Sequence, residues 1–117
     1  MTMDAGSFPT GSPEAARRVL SLRLTFRVPQ YVQVPYGRGQ YRSGTRIEHC
    51  LLSDVVDEER FTARYARNVS RLAMEFRLQS AETLARKFGV QVAQLVYTGA
   101  ATAWHEPGER VHPGRWE

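Results

Sequence analysis

A chain of 117 residues with 42% hydrophobic residues supports one modest core and is too short for two domains of ordinary size. A single cysteine, Cys50, excludes an intramolecular disulfide and a thiolate metal cluster and suits a reducing compartment, and no apolar run approaches a membrane span. The formal net charge of +4 and the pI of about 9.7 favour a polyanionic partner.

Residues 1–16 carry Gly6, Pro9, Gly11 and Pro13 with only Phe8 to bury, so they are expected to form a flexible arm. They lack the basic-then-apolar order of a signal peptide, and a cytoplasmic protein is expected. From Val19 the pattern changes. Leu20, Leu22, Leu24, Phe26 and Val28 alternate with Ser21, Arg23, Thr25 and Arg27, the period of a half-buried strand. Pro29 interrupts this strand, and Tyr31 to Tyr36 form a second extended stretch that Pro35 limits. Tyr36 to Gly44 hold three glycines and form the hairpin tip, and Thr45 to Leu52 return as a strand whose inner face is Ile47, His49 and Leu51. Cys50 reads as a small buried hydrophobe.

Ser53 or Asp54 caps a long helix running to about Leu78, with Asp57, Glu58 and Glu59 at its positive end. Its apolar stripe is Phe61, Tyr65, Val69, Leu72 and Phe76, and its polar face carries Arg60, Arg64, Arg67 and Arg71, one guanidinium per turn. Like charges at that spacing repel unless a polyanion such as a phosphate backbone faces them. Ser80 begins a second helix, Gly89 turns the chain, and a third helix follows to about Ala103. Trp104 to Glu117 contain Pro107, Gly108, Pro113 and Gly114 and read as an irregular tail, with His105 and His112 facing solvent.

Within Ser80 to Thr98, Ala85 is followed four positions on by Gly89 and six further on by Leu95. This segment resembles the helix-turn-helix of small bacterial or phage DNA-binding proteins such as repressors and excisionases, without pointing to a particular family. The resemblance implies that Gln91 and Gln94 read base edges while Arg86 and Lys87 hold phosphates at the turn. That second helix also offers Tyr97 and Thr98 but no basic residue. Such proteins usually dimerise.

A second basic element interleaves Tyr31, Tyr36 and Tyr41 with Arg38, Arg42 and Arg46, as in single-strand and RNA binders where rings stack on bases and guanidiniums hold the backbone. It could equally lie as a wing along a duplex groove. Arginine dominance suits nucleic acid, although a GC-rich genome also produces it; Lys87 is the only lysine. No metal-ligand spacing, phosphate loop or dinucleotide fingerprint is present, so neither catalysis nor a cofactor is expected.

The sequence therefore predicts an α+β domain over residues 17–104, an N-terminal antiparallel β-hairpin followed by three α-helices, with a disordered arm (1–16) and tail (105–117). The expected function is nucleic-acid binding, with DNA favoured and a helix-turn-helix-like hairpin as reader. Two alternatives stand beside it. One is an interaction or accessory subunit of a larger phage or mobile-element complex, motivated by the apolar second helix of the hairpin and by the tail with Trp104 and Trp116; the other is an RNA or single-strand binder working through the Tyr/Arg loop.

Overall fold

The computed structural model describes residues 18–112 and 115–117, so the expected N-terminal arm lies outside the described residues. Strand β1 (Val19–Gln33) follows from the alternation of its sequence: Leu20, Leu22, Leu24, Phe26 and Val28 are all buried on one side. Strand β2 (Gln40–Asp57) and strand β3 (Val96–His105) flank it in the order β2-β1-β3, both antiparallel. Only the first nine residues of β1, Val19 to Arg27, have β3 beside them. Beyond Arg27 the chain continues as a two-stranded ribbon of β1 and β2.

Helices α1 (Glu58–Tyr65) and α2 (Val69–Phe88) supply the other side of the core. The Asp57 carboxylate caps α1 by accepting from the Arg60 amide at 2.7 Å, with Glu58 and Glu59 in the first turn. Ala66 and Arg67 then take left-handed backbone, at φ 51° and 57°, and Asn68 restarts the helix by accepting from the Arg71 amide at 3.1 Å. Phe61, Tyr65, Leu72 and Leu84 pack against Leu20, Leu22, Leu24 and Phe26, while the small residues Ala73, Ser80, Ala81 and Ala85 are also buried along α2. Small side chains allow a helix to lie close to its neighbour. Each fully buried Leu or Phe contributes about 1.5–3 kcal/mol, so the helix-facing side of β1 carries a large share of the stability.

The structure keeps the α+β composition and overturns the expected arrangement. The long helix breaks at Ala66–Asn68, where Asn68 is the cap, and Ser53 and Asp54 lie inside β2. Ser80 caps nothing: it is buried within α2, which runs on to Phe88. There is no α-helix after Gly89 among the described residues. Residues Val92–Gln94 form one 3₁₀ turn, and Val96 to His105 pair along β1 as a third strand. The β-branched and aromatic residues Val96, Tyr97 and Thr98 prefer that extended backbone, and the open side of β1 supplies the hydrogen-bond partners.

Three further corrections concern the strands. Pro29 does not end β1; it pairs opposite Thr45 in the ribbon, where β3 no longer flanks β1 and a missing N–H is tolerated. Ile47, His49 and Leu51 are not the inner face of β2, for they lie opposite Arg27, Thr25 and Arg23 on the side away from the helices. Cys50 and Leu52 pack on the core instead, with Cys50 half-buried. Trp104 and His105 belong to β3, and His105 is buried rather than solvent-facing.

Two leucines separate these faces. Leu72 is 0% exposed and Leu51 is 63% exposed. Leu72→Ala is expected to cost about 2–5 kcal/mol in urea unfolding, whereas Leu51→Ala should change stability by less than about 0.5 kcal/mol.

Candidate nucleic-acid interface

The ribbon beyond Arg27 is the part of the described chain in which positive charge and exposed aromatic rings coincide. From Val28 to Ile47 the sequence contains Arg38, Arg42 and Arg46 and no Asp or Glu. At about 3.4 Å per residue, Val28 to Gln33 extend the ribbon by about 20 Å. Its tip closes where the Val34 amide donates to the Gly39 carbonyl at 3.1 Å, with Gly39 at φ 94°. That left-handed backbone favours glycine.

Register sets what each side of the ribbon presents. Tyr31 lies opposite Arg42 and Val32 opposite Tyr41, so each face carries one tyrosine. Tyr36 at the tip is fully exposed, and Tyr41 and Tyr31 are partly so. Arg42 is held by its own strand, with Nε donating to the Gly44 carbonyl at 3.3 Å and Nη2 to Thr45 Oγ1 at 2.7 Å, while no described acidic group pairs with it. Arg46, nearer the body, differs: it donates to Glu48 at 2.6 Å and lies over the Phe88 ring at 4.7 Å. The net charge of the ribbon therefore sits toward its tip, on Arg38 and Arg42.

The arginine stripe does not survive as one face. Arg60 and Arg64 are on α1, Arg67 is in the left-handed link, and Arg71 is on α2. Arg64 reaches Glu75 at 3.4 Å, and Arg67 reaches Glu58 at 3.7 Å. Arg67 also lies over the rings of Phe61 and Trp104, each at 5.7 Å, and Arg18 stacks on Trp104 at 5.1 Å while donating to Glu58 at 2.8 Å. These arginines tie the helices to the end of the sheet. Hydrogen bonding from Arg18 in the first place, with Arg67 adding to it, holds the Glu58 carboxyl below its ordinary range.

The four residues expected along a reading helix do not share one. Gln94 is consumed on both ends of its amide: its oxygen accepts from the Gln91 amide at 2.9 Å, and its nitrogen donates to the Tyr31 hydroxyl at 2.6 Å. Gln91 precedes the 3₁₀ turn with its side chain exposed. Tyr97 is in β3, where the Arg77 guanidinium covers its ring at 4.7 Å and burial pushes its phenol above the ordinary range. Thr98 sits in a bulge and donates to the Thr25 carbonyl at 3.1 Å. Arg86 and Lys87 occupy the last turn of α2, where cations complement the helix dipole, and Lys87 lies over the Phe88 ring. What Gln94 does instead is brace the base of the ribbon.

One polar cluster escaped sequence reasoning. His105 Nε2 lies 2.6 Å from Ser21 Oγ and 3.1 Å from Asp54 Oδ1, and Nδ1 donates to the Glu106 carbonyl at 3.0 Å. A hydrolytic triad needs serine and carboxylate on opposite ring nitrogens; here both meet Nε2. The Asp54 amide also donates to Ser21 Oγ at 3.1 Å, with Asp54 at φ 52°. The cluster pins the bulge between Leu20 and Leu22 rather than activating a nucleophile. The residues join across 33 and 84 positions, which no local motif signals.

Among the described residues, no group of three or more His, Cys, Asp or Glu side chains is placed to hold a metal, and no helix is long and apolar enough to cross a membrane. Comparison with protein-family models, with curated proteins and with solved structures found no match.

The lowered Glu58 carboxyl gives a pH signature. Its contribution to stability is present above the ordinary glutamate value of 4.5 and is lost as pH falls through the lowered value. Glu58→Gln should therefore lower the thermal midpoint at pH 7 and converge with wild type as the buffer is taken below pH 4.5, measured by circular dichroism melts across that range.

Proposed function

We propose that this protein binds nucleic acid through the β-ribbon formed by residues 28–47, with single strands preferred over duplex. The observation that carries this reading is the acid-free ribbon itself, in which exposed Tyr36 and Tyr41 accompany Arg38 and Arg42. Exposed rings stack on unpaired bases, and guanidiniums follow the phosphates. A two-stranded ribbon also fits a major groove, but a duplex keeps its bases stacked and leaves the tyrosines no partners.

Binding should be tested by fluorescence anisotropy with oligothymidylate and with a mixed-sequence duplex. Arg38→Gln together with Arg42→Gln should flatten the slope of log affinity against log salt by about 0.7 per lost phosphate contact on single strands. Tyr36→Ala should cost about 1–3 kcal/mol for each base it stacks, with an unchanged melting curve because the Tyr36 side chain is fully exposed. If these variants bind as wild type does while Arg60→Gln and Arg71→Gln weaken binding, the helices are the interface and the ribbon is not.

A second reading, a subunit that docks on another protein, is favoured by one observation: Ile47, Leu51 and Val96 are more than half exposed around the side of the sheet that the helices leave open, and Met74 and Leu78 are exposed on α2. Light scattering across a concentration series tests the self-association form of that reading.

A further inference from the structure

On the side of the three-stranded sheet away from the helices, a cleft of about 520 Å³ opens between the strands and residues 109–111 and 116. That volume lies in the range of small-molecule sites. Leu51 and Trp116 are among its apolar walls, Ser53 brings a hydroxyl, and Arg23 and Arg110 bring two guanidiniums, while the Ser21 hydroxyl at its edge is already engaged by His105 and the Asp54 amide. Glu109 also lines the cleft, but its carboxylate is engaged elsewhere, accepting from the Glu106 amide at 2.9 Å and lying 4.0 Å from Arg115.

Arg23 is the unusual member. It projects from the middle of β1, its guanidinium stacks on the Trp116 ring at 5.3 Å, and its Nε is shut off from solvent with no hydrogen-bond acceptor among the described residues. No described carboxylate forms an ion pair with Arg23 or Arg110. The Trp116 ring offsets part of the cost of holding this charge on the sheet, and the Nε donor is left without an acceptor among the described residues. A planar carboxylate matches the guanidinium fork, and a flat apolar body matches Leu51 and the indole.

The geometry points to a binding site for a small organic acid, a carboxylate on a flat apolar group, with Arg23 as its principal anchor and Arg110 as the second cation. This site is independent of the ribbon and does not require that the protein bind nucleic acid. Inorganic phosphate alone would leave the apolar walls unused, so the cleft should discriminate in favour of the organic acid.

The test is isothermal titration with indole-3-acetate, with its neutral twin indole-3-acetamide and with inorganic phosphate, accompanied by amide chemical-shift mapping. The expected result is saturable binding of the acid, about tenfold or more tighter than either comparison compound, with shifts confined to residues around Arg23, Leu51 and Trp116. Arg23→Gln should reduce that affinity about tenfold or more. Because Arg23→Gln could disturb the strand, Arg110→Gln on the exposed wall and Leu51→Glu, which sets a like charge against the ligand, are run beside it and should each weaken binding in a correctly folded protein. No saturable binding of the acid, equal binding of the acetamide or of phosphate, or shifts located elsewhere would each overturn the proposal.

Discussion

Everything in this structure depends on β1 having two neighbours for nine residues and one neighbour thereafter. Where β3 is present, Leu20, Leu22, Leu24 and Phe26 are sealed beneath α1 and α2, and the opposite side of the strand holds Ser21, Arg23, Thr25 and Arg27. Where β3 stops, the body of the domain stops with it, and the remaining pairing with β2 projects as a ribbon. The difference lies in where Val90 to Tyr97 place the last strand, and that placement creates both the core and the protruding arm.

The same division sorts the arginines. Several near the helices have acidic or aromatic partners: Arg18 and Arg67 share Glu58, Arg64 meets Glu75, and Trp104 lies beneath two guanidiniums, whereas Arg60 and Arg71 on the helices form no ion pair among the described residues. Charges held in this way stabilise local geometry and contribute little field beyond it. Arg38 and Arg42 on the ribbon form no ion pair with any described acid, and Glu48, the next acid along the chain after them, is occupied by Arg46. Net charge alone pointed to a polyanion; the pairing pattern supports a location for it.

Legibility in the sequence differs sharply from one element to the next. The alternation in β1 was clear because one face is buried from Leu20 to Val28. The glycine turn at Gly89 was also legible, and Gly89 does take left-handed backbone, at φ 68°. The strand beyond that turn was not. Ala85, Gly89 and Leu95 satisfy a degenerate spacing whether or not a helix comes next, and only the vacant edge of β1, more than sixty residues away in sequence, decides for strand. Pairing partners at that separation leave no local trace, which is also why the Ser21, Asp54 and His105 cluster and the Arg23 cleft were invisible. Asn68 was a readable helix start that the long apolar stripe from Phe61 to Phe76 obscured.

The central claim is that nucleic acid meets this protein on the ribbon and not on the segment after Gly89. The most direct measurement is a titration of isotopically labelled protein with oligothymidylate of about twelve nucleotides, long enough to span one such site, with the amide resonances tracked residue by residue. The account predicts shifts concentrated in Tyr31 to Arg46, largest around Tyr36 and Tyr41, with Gln91 and residues 96–98 unmoved. Shifts centred on Arg60, Arg71 or residues 91–98, with the ribbon silent, would contradict it.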